Sequence, residues 1–207
     1  MARPQSATDD QILQAALQVM VRRGHDGFTL SEVAAEVGLS RAALILRFKS
    51  TRALKTTLTA RIVDRFVQSL RSLPVTRSGE GLIELVAFIG GMISTPGSLT
   101  AYMRKYHSNV NDEELAKLEH RRAEALRNAV SERMPAVAIR HESAVAAFVA
   151  HIGGSLMQWE VQTDSDARTY LTERTKEWLI LAQLAPPNHV AEAQPPPAMA
   201  RVRTLVP

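Results

Sequence analysis

Apolar residues recur along the chain at three- and four-residue intervals. Ile12, Ala15, Ala16, Val19 and Met20, widened by Leu13 and Leu17, predict a first helix from Thr8 to Gly24. Thr8 with Gln11 has the form of a capping box, Asp9 and Asp10 sit where the helix dipole favours negative charge, and Gly24 closes the helix. The stretch TLSEVAAEVGLSRAALILRF, Thr29 to Phe48, reads as two short helices joined by a tight turn. Thr29 with Glu32 forms a second capping box, Gly38 supplies the positive φ of the turn, and Ser40 caps a helix beginning at Arg41. Val33, Val37, Leu44 and Phe48 let the pair bury one shared face, which leaves Arg41, Ala42, Ala43, Ile45, Leu46 and Arg47 outward.

Ser50 is placed to cap a long helix from Thr51 to about Leu73, stopped by Pro74, with Leu54, Leu58, Ile62, Phe66 and Leu70 at steps of four. Leu82 to Ile93 is apolar nearly all round, as a helix buried in a bundle would be, and Gly90-Gly91 inside it implies either a kink or a close helix contact. A short helix follows with Leu99, Tyr102, Met103 and Tyr106 on one face. Asn111 with Glu114 reads as a third capping box, opening a long charged helix through Leu115, Leu118, Ala125, Leu126, Ala129 and Val130 to Met134, its polar face solvent-exposed. Two last helices span about Arg140 to Gln162 and Ala167 to Leu184. Prolines at 186, 187 and 195 to 197 then predict a disordered tail over 185–207. The reading is all-α: a three-helix N-terminal helix-turn-helix domain over 1–50 with a loose arm at 1–7, and a larger C-terminal helical bundle over 51–184.

Composition changes this picture little. A chain of 207 residues, 45% hydrophobic and 22% charged, can build a real core. Cysteine is absent, which excludes disulfides and thiolate metal sites. Neither a signal peptide nor a membrane span is apparent, so a cytoplasmic location is expected. The net charge of +4 is mild, but Arg41, Arg47, Lys49, Arg52, Lys55 and Arg61 fall between Glu36 and Asp64 with no acid among them. That one-signed run, coincident with the helix-turn-helix, suits phosphates.

The run ILQAALQVMVRRGHDGFTLSEVAAEVGLSRAALILRF and the S-x-x-A-L step after it resemble the N-terminal domain of the tetracycline-repressor (TetR) family of bacterial transcription regulators. The resemblance covers about residues 8 to 56. It implies an all-helical homodimer that binds a double-stranded DNA operator and is released by a small effector. Arg41 is the expected base reader, able to offer two parallel donors to guanine, with Ala42 and Ala43 small enough to admit thymine methyls. Thr29 and Ser40 are expected at phosphates, with Arg47, Lys49, Thr51 and Arg52 along the backbone and Ile45 and Leu46 on the same face. Relatives usually carry a tyrosine where this chain has Ile45 and often a lysine where it has Thr51.

Phe66, Met92, Met103, Tyr106, His107 and Trp159 are the candidate lining of an effector pocket, whose character favours an apolar ligand. Gly153, Leu156, Tyr170, Trp178 and Leu181, with Gly154 and Trp159, are the candidate dimer surface, because two peripheral helices do not need so much apolar area. Enzyme activity is not expected: no phosphate loop, nucleophile elbow or H-E-x-x-H pair occurs, and the six histidines are scattered. No cofactor or metal is expected either, since His141 and His151 on one helix stand about 15 Å apart. The competing reading is a dimeric helical sensor or adaptor of the same fold without useful DNA affinity.

Overall fold

The structure, a computed structural model, describes residues 7–24, 27–93, 98–161 and 165–184. The expected arm up to residue 6 and the proline-rich tail lie outside these residues. Among the described residues there are nine helices and no strand: α1 Asp9–Arg23, α2 Leu30–Glu36, α3 Arg41–Phe48, α4 Thr51–Ser72, α5 Gly79–Gly91, α6 Ser98–Val110, α7 Glu113–Arg133, α8 His141–Val161 and α9 Ala167–Leu181.

Two apolar cores organise them. Ile12, Ala16 and Val19 of α1, Leu30 and Val33 of α2, and Leu44 and Phe48 of α3 close the first, with Leu54 and Leu58 of α4 beneath them. The second gathers Leu70 of α4 with Leu82, Leu85, Val86, Val130, Phe148, Ile152, Leu171 and Leu179 from α5, α7, α8 and α9. Helix α4 therefore enters both cores and joins them. Its buried face is not the expected row at steps of four. Ile62 and Phe66 are only half-buried, while Thr59, Val63 and Val67 turn inward, because steps of four drift by about 40° each around a helix of 3.6 residues per turn.

The caps explain most helix boundaries. Thr8 and Gln11 form the expected reciprocal box, with the Thr8 N–H donating to Gln11 Oε1 at 2.8 Å and the Gln11 N–H to Thr8 Oγ1 at 3.2 Å. Ser50 accepts from the Ala53 N–H at 3.0 Å. The third expected box is corrected. Asp112, not Asn111, caps α7, accepting from the Glu114 and Leu115 N–H groups at 3.1 and 3.3 Å, while Asn111 donates back to the His107 carbonyl. A carboxylate at that position gains from the helix dipole as well as the hydrogen bonds.

Gly90 settles the choice between kink and contact. A Cβ there would lie 2.5 Å from Arg168 Cα and 2.9 Å from the Ala167 carbonyl oxygen, so α5 and α9 approach too closely for any side chain. Helix α7 buries the apolar face expected of it and, beyond that expectation, two charged residues. Glu119 and Arg133 are buried on it, and Arg133 donates through Nη2 to the carbonyls of Leu73 and Pro74 at 3.1 and 2.7 Å, closing the end of α4 that Pro74 leaves open.

Candidate nucleic-acid interface

Local chemistry fixes the α2–α3 pair. Thr29 Oγ1 accepts from the Glu32 N–H at 3.2 Å. The Glu32 carboxylate does not complete the box but turns to Arg23 Nε at 3.0 Å. Beside it Arg22 Nη2 reaches Glu36 Oε2 at 2.7 Å, so two arginines at the end of α1 hold α2. Gly38 adopts φ +67° in the turn, and the Leu39 N–H bonds the Ala34 carbonyl at 2.9 Å. Ser40 Oγ then accepts from the Ala43 N–H at 3.1 Å and starts α3. The buried side of α3 is Leu44 and Phe48.

Arg41, Ala42, Leu46, Arg47 and Lys49 are exposed on the outer side of α3 and at its end, and Leu46 retains 76% of its surface. Ala43 and Thr51 are half-buried; Thr29, Ser40 and Arg52 are exposed. Ile45, expected outward, is half-buried and packs against the first core, because at 100° per residue it lies only about 60° around α3 from the buried Phe48. Lys49 closes α3 at φ +67°, a conformation that costs a non-glycine residue about 1–2 kcal/mol, and its Nζ donates to the Leu46 carbonyl at 3.3 Å.

The basic run is less one-signed in space than in sequence. Arg47 donates to the Ala7 carbonyl and lies 3.5 Å from Asp9 Oδ1. Arg61 pairs with Asp10, holding that carboxyl below its ordinary value through their hydrogen bond. Arg52 Nε meets Asp112 Oδ2 at 2.8 Å, and this bond lowers the Asp112 carboxyl likewise. Among the described residues, Arg41 and Lys49 make no ion pair. They are the cations that α3 offers outward. An exposed, capped second helix with a free arginine in its first turn, seated on a helix that braces it, has the geometry for insertion in a major groove.

The tetR family model of bacterial regulatory proteins matches residues 12–55, which span α1, α2, α3 and the first turn of α4. The N-terminal domain belongs to the tetR family. The rest of the chain follows the tetR-like fold, as solved structures show. A transcriptional regulator from Rhodococcus sp. Rha1 is 16% identical with a TM-score of 0.68, covering 87% of this chain and 100% of that chain. A TetR transcription regulator from Haloarcula marismortui is 17% identical with a TM-score of 0.67, covering 84% and 96%. The regulator FadR from Bacillus subtilis, solved in complex with stearoyl-CoA, is 13% identical with a TM-score of 0.60, covering 86% and 100%. A comparison with curated proteins finds no match. The described residues thus share the fold of these regulators.

In the second domain, the six expected pocket residues differ in burial. Met92, Met103 and Tyr106 keep 53%, 40% and 37% of their surface exposed, and His107 is exposed. Trp159 is buried with its indole N–H donating to the Ser165 carbonyl at 2.8 Å, and Phe66 packs against the second core. None of them lines either of two clefts in this domain. One, of about 270 Å³, lies between α4 and α7 beside Val67, Arg71, Arg121 and Glu124. The other, of about 240 Å³, lies between α8 and α9 beside His151, Gln158, Arg174 and Leu181.

The expected dimer residues are divided. Leu156, Tyr170 and Trp178 are half-buried, Trp178 standing edge-on to Phe148 at 4.9 Å, whereas Leu181 is 83% exposed. Gly153 and Gly154 face open space. Sequence reasoning missed the stripe they belong to: Ala146, Ala150, Met157 and Val161 are also exposed at helical spacing along α8. The signal was present in the run of small residues on that helix. Among the described residues no helix is long and apolar enough to cross a membrane, and no three metal-binding side chains converge.

Proposed function

We propose that this protein is a homodimeric, effector-responsive repressor that leaves a near-palindromic operator when a small ligand binds its second domain. The observation that carries the reading is α3, a capped helix whose first turn presents Arg41 outward, without an ion pair among the described residues. Arg41 reads a guanine edge, Ala42 and Ala43 approach thymine methyls, and Thr29, Ser40, Lys49 and Thr51 hold phosphates with Arg47 and Arg52. Leu46 lies on the same surface, with Ile45 at its inner margin.

The dimer forms through the small, apolar stripe of α8 together with Leu181 of α9, where Gly153 admits close approach of a second copy. Two-fold symmetry then requires an operator with two half-sites. The effector is largely apolar, in keeping with the apolar surface that Met92, Met103 and Tyr106 leave open near α6. The same fold accommodates stearoyl-CoA in the Bacillus subtilis regulator.

A second reading, a dimeric sensor or adaptor without useful DNA affinity, is favoured by the ion pairs that occupy Arg47 and Arg52. Selection from random duplexes followed by a gel shift on the enriched sequence separates the two. Enrichment of an inverted repeat supports the repressor. No shift of any duplex at low salt supports the adaptor.

A further inference from the structure

The hairpin of α6 and α7 carries charge into the interior of the second domain. Asn109 and Glu119 are both almost wholly buried, and Asn109 Nδ2 donates to Glu119 Oε1 at 2.6 Å. Arg122, one turn further along α7, pairs with Glu119 Oε2. Its guanidinium lies 4.3 Å from the centre of the Tyr102 ring, and Lys105 Nζ lies 5.9 Å from the same centre. The pairings 109 with 119 and 102 with 122 follow the antiparallel register of the hairpin, so Tyr102, Lys105, Glu119 and Arg122 share one layer between the helices.

The charges in that layer do not balance. Glu119 is shared between Asn109 and Arg122, and among the described residues it is the carboxylate that bears on Lys105. Two cations therefore face one anion. Burial pushes the Lys105 ammonium below its ordinary value and the Arg122 guanidinium down to about 10, so neither charge is well solvated. Packing of the two helices needs only the Asn109–Glu119–Arg122 network. An ammonium at 105, half-buried, must share the one carboxylate with Arg122 and leaves the layer with a net positive charge. The Tyr102 ring attracts both cations but cannot neutralise them.

We propose that Lys105 and Arg122, beside the ring of Tyr102, bind an anionic group of a ligand, a carboxylate or a phosphate, in the α6–α7 hairpin. This deepens the effector reading, on which only its regulatory consequence rests, by giving the apolar effector a charged end. Asn109 is one turn from Asp112, the residue that caps α7 and holds Arg52. An anion drawn between Lys105 and Arg122 competes with Glu119 for Arg122 and bears directly on that junction.

The test uses the full chain and three probes with one tail: decanoate, decyl phosphate and decanol, titrated calorimetrically. The two anions should bind about tenfold or more tightly than decanol, the fold-change expected of a charge-assisted hydrogen bond. The tighter of the two names the anion. Lys105→Gln, outside the Glu119 pair and so tolerated by the fold, should erase most of that preference and leave decanol unchanged. Lys105→Arg should retain it. Anions that bind no better than decanol, or Lys105→Gln binding them as the natural chain does, overturn the site. Release of the selected duplex by the same probes is read in parallel. Probe binding that depends on Lys105 but releases no DNA keeps the site and sinks the effector reading. Release that Lys105→Gln leaves intact does the reverse.

Discussion

Arg52 Nε lies 2.8 Å from Asp112 Oδ2, which ties the first turn of α4, beneath the DNA-binding domain, to the residue that opens α7. The arginine expected at a phosphate is thereby held by a carboxylate 60 positions further along the chain, at the N-cap of α7. Both partners belong to elements that must stay in register for the bridge to exist. The contact is a physical link between the helix that supports α3 and the α6–α7 hairpin.

Asp112→Asn isolates that link, because asparagine keeps a capping oxygen and loses only the charge. Freed Arg52 then turns to phosphate. Binding to every duplex should tighten alike, and the dependence of log affinity on log salt should steepen by about one ion. Fluorescence anisotropy on specific and random duplexes over a salt series measures both. Unaltered affinity and slope would mean that Arg52 does not reach DNA.

Acid should loosen the fold from its electrostatic joints. Hydrogen bonds from Arg61, Arg22 and Arg52 hold the carboxyls of Asp10, Glu36 and Asp112 below their ordinary values, and Thr169 does the same for Asp166. A carboxyl lowered on folding stabilises fully above its unfolded value and ceases to do so as pH falls through the folded one. The melting temperature should therefore hold through neutrality and decline as the pH drops from about 5 toward 3, with high salt blunting the decline. A decline centred near pH 6.5 would point to histidines instead.

Gly90→Ala should destabilise by about 1–3 kcal/mol, since the new methyl meets backbone of Arg168 and Ala167 that cannot swing away, and this outweighs about 1 kcal/mol of gained helix propensity. Gly91→Ala meets nothing nearer than Arg168 Nε at 3.8 Å and should be neutral or stabilising. Urea melts of the two variants decide it. Equal stability would contradict the close α5–α9 contact.

Gly153→Ala tests the dimer surface. No atom lies within 4 Å of a Cβ there, so within one copy the substitution should stabilise α8 by about 1 kcal/mol. A second copy packed closely on the same stripe reverses the sign in the dimer. Sedimentation should show weaker association of the variant, while its urea midpoint at high dilution rises. Association unaffected by the methyl would move the interface elsewhere.

The helices and most of their caps were legible because each is encoded within a few residues. Thr8 with Gln11, Ser40 with Ala43 and Ser50 with Ala53 need nothing from the rest of the chain. Distant pairings were not legible. Arg47, Arg52 and Arg61 look like free phosphate anchors in the sequence, and only the fold brings Asp9, Asp112 and Asp10 to them. Ile45 sits between the outward and inward edges of α3, where helical periodicity assigns neither side. Glu119 and Arg122 could have been suspected. Positions 115, 119, 122, 126, 129 and 133 form one continuous face of α7, and three of them are charged. The effector pocket was not legible for a different reason: aromatic and methionine residues mark apolar faces but do not say whether those faces meet.

The most direct test of the central claim compares Arg41→Ala with Lys49→Ala on an operator selected from random duplexes and on unselected DNA. If α3 reads sequence from its first turn, Arg41→Ala costs about 1–3 kcal/mol on the operator, relaxes preference at one base step and hardly changes unselected binding. Lys49→Ala should weaken both kinds of duplex equally and flatten the salt dependence by about one ion. An Arg41→Ala protein that ranks all sites as the natural chain does would contradict the account.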